Sequence, residues 1–251
     1  MSQFDISNKV AIITGGGTGI GRAMAVEFAK GGAKVIVASR KEGNLKSVSE
    51  EITASGGQAL AMATDIRIPE QVDHLVKQTI DRFGRIDVLV NNAGASFLCP
   101  VEDMTPNGWD TIININLKGT FLCCRAVGRV MIQQKGGRII NIASTAGIKG
   151  SPGMAHYGAA KAAIINFTQS LGKEWAQHNI NVNCIAPGLI ETEGVKAQMH
   201  LTPEVLEGQK KKALLDHPGR TEDIAYMAMF LSSEASRFIT GELFVVRGNQ
   251  D

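Results

Sequence analysis

Tyr157 and Lys161 stand four residues apart in Tyr-Gly-Ala-Ala-Lys, a spacing that puts two side chains on the same face of a helix. A phenol beside an ammonium is a proton donor whose strength can be tuned. Bringing a phenol from a pKa of ~10 to roughly 7 takes about 4 kcal/mol, which one cation at ~4 Å supplies at an effective dielectric near 20. The expectation is a tyrosine acid/base whose pKa the lysine lowers. A second stretch, Thr14-Gly15-Gly16-Gly17-Thr18-Gly19-Ile20-Gly21, places five glycines in eight residues. Between a strand and a helix, bare positions let backbone N–H groups close on phosphate oxygens, as a dinucleotide site requires. The strict Gly-x-Gly-x-x-Gly spacing is absent. Gly16 and Gly21 imitate a P-loop, but Arg22-Ala23 stand where its Lys-Ser/Thr would be, which disfavours an ATP-type cradle.

Such groups need a scaffold, and the chain supplies its pattern. Short runs rich in Val and Ile alternate with longer amphipathic segments, predicting strands at Val10-Thr14, Lys34-Ala38, Gln58-Ala63, Val88-Asn91, Arg138-Ala143, Asn181-Ala186 and Leu243-Val246. Strands apolar on both faces belong in a buried parallel sheet, and helices between them imply right-handed crossovers that cover both sides. The expected fold is α/β, a Rossmann-like doubly wound parallel sheet of about seven strands. At 251 residues and 44% hydrophobic, the chain is long enough for one large core, so residues 1–251 are expected to form a single catalytic domain. The stretch from Glu193 to Gly219 breaks the alternation with Pro203, Gly208, Pro218 and Lys210-Lys211-Lys212, and reads as an inserted substrate lid.

Composition excludes several partners. A net charge of +2 from 26 basic and 24 acidic residues gives no strong field for nucleic acid or a membrane surface. The start of the chain lacks a signal-peptide pattern, and no run of 18 apolar residues occurs, so a cytoplasmic protein with a small-molecule substrate is expected. Four cysteines without Cys-x-x-Cys spacing read as reduced thiols, and no His/Cys cluster suggests a metal. Asn91 and Asn92 can cap a strand or contact a cofactor. His156 adjoins Tyr157 in sequence but would face another way on the same helix.

Taken together, Thr14-Gly-x-x-x-Gly-x-Gly21, Asn91-Asn92-Ala93-Gly94, Ser144, Tyr157 and Lys161 resemble the short-chain dehydrogenase/reductase family over almost the whole chain, with 3-oxoacyl reductase-like members among those it is similar to. The resemblance adds Asn116, in Asn114-Ile115-Asn116-Leu117-Lys118-Gly119, and implies a catalytic group of Asn116, Ser144, Tyr157 and Lys161. Tyr157 would exchange the substrate proton, Ser144 would hold the carbonyl oxygen, Lys161 would also grip the nicotinamide ribose, and Asn116 would hold a water linking Lys161 to solvent. Cofactor contacts would come from Gly15, Gly17, Thr18, Gly19, Ile20 and Gly21, from the adenine pair Asp65-Ile66, from Asn92, Ala93 and Gly94, from Tyr157 and Lys161 themselves, and from Pro187, Gly188, Ile190 and Thr192.

Cofactor choice turns on the end of the second strand, where an acidic residue would grip the two ribose hydroxyls of NAD. Here Ala38-Ser39-Arg40-Lys41 has no carboxylate, and Ser39 with Arg40 can meet a 2′-phosphate, so NADP is favoured over NAD. The implied activity is hydride transfer between NADP(H) and a carbonyl or secondary alcohol. A catalytically silent NADP(H)-binding regulator is the alternative. The substrate pocket is expected from Ala95, Ser96, Thr145, Ala146, Met154, Gly188 and Leu189, with Met199, Leu201, Val205 and Leu206 from the lid. Its apolar character suits a 3-oxoacyl thioester, an alicyclic ketone or a steroid better than a sugar. Family resemblance also implies a homotetramer, paired through helices spanning Asn107-Lys135 and Met154-His178, while Val246-Arg247-Gly248-Asn249 departs from the family's usual end.

Overall fold

The computed structural model describes residues 2–194, 215, 217 and 219–248. Seven parallel strands, β1 (Val10–Thr14), β2 (Lys34–Ser39), β3 (Gln58–Ala63), β4 (Val88–Asn91), β5 (Gly137–Ile142), β6 (Ile180–Pro187) and β7 (Leu243–Val246), form one sheet in the order β3-β2-β1-β4-β5-β6-β7. The order reverses between β1 and β4, which opens a crevice at their carboxyl ends. Four strands have the expected bounds. The other three differ by one residue, β2 at its end and β5 and β6 at both ends, because pairing with neighbours rather than hydropathy sets where a strand stops.

Alternation along each strand sends successive side chains to opposite faces. Ile13, Val35 and Val37 pack under α1 (Gly19–Lys30), α2 (Glu42–Ala54) and a last helix α7 (Thr221–Ser232), through Met24, Phe28, Leu45 and Ala228. Ile12, Ile36 and Leu89 face the other side, against α3 (Pro69–Phe83), α5 (Gly119–Gln134) and α6 (Ala155–Trp175), through Leu75, Leu122, Met131 and Leu171. Both faces are dry, which is why the strands read as unbroken apolar runs.

The helix expected over Asn107-Lys135 is interrupted. It comprises α4 (Pro106–Ile113), a π-helical turn at Asn114–Lys118 and α5. Thr105 starts it, its side chain accepting from the Gly108 N–H at 3.1 Å. The π turn has a local cause: Asn116 Nδ2 donates to Ala95 O at 2.8 Å and Ile112 O at 2.9 Å, so a side chain takes a place in the backbone ladder. Most of the proposed lid, including Met199, Leu201, Val205, Leu206 and Lys210-Lys211-Lys212, lies outside the described residues. An isolated bridge pairs Ile190, three residues before that segment, with Gly219, its last residue. Among the described residues no helix is long and apolar enough to cross a membrane.

Candidate active site

Between β1 and α1 the backbone turns sharply, with Gly15 at φ 66°. A Cβ on Gly15 would lie 2.8 Å from Asn92 Nδ2, and one on Gly21 would lie 2.1 Å from the Gly15 carbonyl oxygen. These two glycines seat α1 against the end of β4. Asn92 completes the joint, donating through Nδ2 to Thr14 O at 3.0 Å, while Thr14 Oγ1 accepts from the N–H groups of Asn92 and Ala93 at 3.0 and 3.1 Å. Thr18, at the N-cap of α1, makes no side-chain cap. The first-turn N–H groups, which lack intrahelical partners, are left to a ligand.

Those groups border a trough of about 450 Å³ lined by Gly15, Gly17, Thr18, Gly19, Ile20 and Gly21, by Ser39 and Arg40 after β2, by Asp65 and Ile66 after β3, by Asn92, Ala93 and Gly94 after β4, and by Thr192. The remaining expected cofactor residues, Pro187, Gly188 and Ile190, with Tyr157 and Lys161, line an adjoining cleft of about 790 Å³ that shares Ile20, Asn92, Gly94 and Thr192 with the trough. The trough fits an extended dinucleotide. Bare N–H donors at a helix start suit a pyrophosphate, and exposed Arg40 and Lys41 suit a further anion at the other end. Asn91 takes the structural of its two possible roles. It is buried, with Nδ2 donating to Asn141 Oδ1 at 2.9 Å across paired strands.

In the cleft, Ser144 and Tyr157 lie together. The Ser144 hydroxyl accepts from Ala146 N–H at 3.2 Å, opening a short 3-10 turn, and stands close enough to the Tyr157 phenol to lower its pKa. Lys161 is 4% exposed, and its Nζ donates to Ile142 O at 2.8 Å. It also stands 5.5 Å from the centre of the Tyr157 ring. The pKa expectation for the tyrosine is reversed here. Burial pushes the Tyr157 phenol up, opposed only by the Ser144 hydroxyl, while burial pushes Lys161 down to about 8. The i,i+4 spacing holds, but the ammonium meets the ring and a carbonyl rather than the phenolic oxygen.

Asn116 lies behind this pair, fully buried, with no partner for Oδ1. A Cβ on Gly94 would lie 2.7 Å from that oxygen and 3.5 Å from Lys161 Nζ. The two groups thus flank the same bare position, and an orphaned acceptor beside a buried ammonium is a place for a bridging water. His156 faces elsewhere, fully buried with its ring 4.5 Å from that of Phe97.

The family model for short chain dehydrogenase matches residues 9–201. The chain belongs to that family. It is similar to oxidoreductases along nearly all of its length: a Synechocystis 3-oxoacyl-[acyl-carrier-protein] reductase is 40% identical, with 97% of each chain covered. An NAD-dependent glycerol dehydrogenase of Listeria innocua is also 40% identical, over 98% of this chain and 95% of its own. A Beutenbergia cavernae structure, provisionally assigned as an NAD(P)-dependent gluconate 5-dehydrogenase and holding NADP at low occupancy, superposes with a TM-score of 0.93 at 32% identity, covering 98% of each chain. Equal identity to relatives with different substrates means that the cleft's own residues must select the substrate of this short-chain dehydrogenase.

All the pocket residues expected from the described part of the chain line that cleft, from Ala95 and Ser96 through Thr145, Ala146 and Met154 to Gly188 and Leu189. Sequence reasoning missed Leu98 and Ser151 there, and Lys41, Asn44, Thr64 and Arg67 in the trough. For Arg67 a signal existed, since an arginine two residues after an aspartate can turn back onto its carboxylate. For Leu98 and Ser151 none did, because loop residues reach the cleft through tertiary placement.

Proposed function

We propose that this protein is an NADP(H)-dependent carbonyl reductase or alcohol dehydrogenase acting on a 3-oxoacyl thioester or a similarly apolar ketone. The observation that carries the reading is that Ser144, Tyr157 and Lys161 stand in a cleft that opens into the trough at Ile20, Asn92 and Gly94. Bound nicotinamide would supply or accept the hydride. Tyr157 donates its proton to the carbonyl oxygen during reduction, and Ser144 orients that oxygen. Lys161, charged and dry, opposes the negative charge left on the phenol. Asn116 Oδ1 takes part in returning a proton to Lys161 through water. The apolar side chains of Leu98, Met154, Pro187 and Leu189 on the cleft wall favour acyl or ring carbons over a polyol. The whole chain acts as one catalytic domain, with 193–219 as a lid over the substrate. Free thiols at all four cysteines suit a reducing cytoplasm.

Oxidation of NADPH against a panel of 3-oxoacyl thioesters, alicyclic ketones, steroids and sugars tests the reading. Binding of NADPH without turnover on any of them would favour a silent sensor instead. For the cofactor, Arg40→Ala should raise the NADPH dissociation constant by roughly 10–150-fold, the loss of one charge-assisted contact, and leave NADH within about twofold. Equal parent affinity for both cofactors would refute the phosphate role.

We also expect a homotetramer. On α5, Phe121 is 42% exposed although Leu122, Val127 and Met131 are buried, so the helix carries apolar surface beyond its core face. Light scattering at micromolar concentration should give four times the chain mass. A monomer would rule the assembly out.

A further inference from the structure

The adenosine end of the trough holds three cations and one carboxylate. Arg40, Lys41 and Arg67 line it, and Asp65 stands among them. The other carboxylate on the lining, Glu193, follows Thr192, whose side chain faces Gly19 at the opposite end. β2 and β3 end side by side, paired at Ser39 and Ala63, and Thr64 N–H donates to Ser39 O at 2.8 Å, so Arg40 and Asp65 leave the sheet as neighbours.

Asp65 is nevertheless engaged by a different arginine. The Arg67 backbone N–H donates to Asp65 Oδ1 at 3.0 Å, and Arg67 Nε donates to Oδ1 and Oδ2 at 2.9 and 3.1 Å. The carboxylate side chain is 14% exposed and the arginine 37%. The Arg67 hydrogen bonds hold the Asp65 carboxyl below its ordinary range, with a smaller contribution from the charge of Arg40. Asp65 is thus ionised at neutral pH, and the charge of Arg40 bears on it.

We propose that Arg67 is a positioning residue for cofactor choice: by holding the Asp65 carboxylate it leaves Arg40 free to meet a 2′-phosphate. The proposal rests on the NADP reading above. Without Arg67, the Asp65 carboxylate would turn to Arg40, the next cation, and neutralise it. A freed carboxylate would also repel a dianionic phosphate, a cost that NADH does not carry. Both effects move preference from NADPH towards NADH. Arg67 acts through Asp65, so removing the carboxylate should cancel the effect of removing the arginine.

Dissociation constants for NADPH and NADH, measured by calorimetry without substrate, test this on the parent, Arg67→Gln, Asp65→Asn and the double variant. Arg67→Gln should weaken NADPH about tenfold and leave NADH unchanged or tighter. The double variant should bind NADPH within about threefold of Asp65→Asn alone. Equal weakening of both cofactors by Arg67→Gln would make the pair merely structural and overturn the proposal. So would a double variant that keeps the full tenfold loss, since Arg67 would then touch the phosphate itself. If the parent does not prefer NADPH, the NADP reading falls. The proposal would still stand or fall on whether Arg67→Gln moves the ratio of the two constants.

Discussion

Tyr157→Phe is expected to lower kcat by at least ~10²-fold, and up to ~10⁴-fold, the range that a positioned proton donor contributes, while NADPH binding changes by less than about threefold. The separation follows from where the residue stands. Tyr157 lines the cleft where nicotinamide and substrate would meet, while most of the expected dinucleotide contacts line the trough, and a phenylalanine removes only the hydroxyl. The phenylalanine ring would still fill the space beside Lys161 Nζ. Burial raises the phenol's pKa, so the free enzyme keeps Tyr157 protonated through neutral pH. A neutral phenol is the form that reduction needs, and tyrosinate is the form that oxidation needs. Carbonyl reduction should hold level from pH 6 to about 7 and fall as Lys161 loses its charge near 8, whereas alcohol oxidation should climb with pH up to that point. A Tyr157→Phe enzyme within a few-fold of parent activity would mean that another group supplies the proton.

That pH dependence could not be read from the sequence, although the pair that produces it could. The spacing of Tyr157 and Lys161 set them on one face of α6, because helix geometry is local. Where Lys161 Nζ points is decided by Ile142 O on β5, an acceptor from a distant part of the chain. The same division runs through the fold. Val10–Thr14 and Val88–Asn91 were legible as buried strands because both faces are covered. The π turn at Asn114–Lys118 was not, since it exists for the contact between Asn116 and Ala95 O. Resemblance supplied Asn116 as a candidate, and only the structure gives its unpartnered Oδ1 and its place behind Gly94. The glycine stretch was read as a phosphate cradle throughout, yet Gly15 and Gly21 answer first to Asn92 and to each other.

The second large effect is expected at Lys161, where activity and stability should move in opposite directions. Its amine titrates at about 8 in the folded protein against an ordinary value of 10.5, with burial the cause. A depressed lysine pKa means that the folded state resists the charge, so holding it costs about 3 kcal/mol wherever the lysine is protonated. Below pH 8 both folded and unfolded chains carry the proton, and the cost is present in full. Between pH 8 and 10.5 the folded chain releases the proton first, and the cost fades. Among the described residues no ion pair joins Lys161 to a carboxylate, and the neighbouring Cys184 thiol is pushed up to about 11 by burial and stays neutral. Lys161→Met keeps the length of the side chain and removes the charge. Its loss of the hydrogen bond to Ile142 O offsets about 1 kcal/mol, leaving a net gain of about 2 kcal/mol at pH 7. Thermal unfolding should show a higher Tm than the parent at pH 7 and a smaller advantage at pH 10. Turnover should nevertheless fall by ~10²-fold or more, because the phenolate formed in the proton transfer then faces no cation in a dry site. A variant that loses stability at pH 7, or one that keeps its turnover, would show that the buried ammonium serves the fold rather than the reaction.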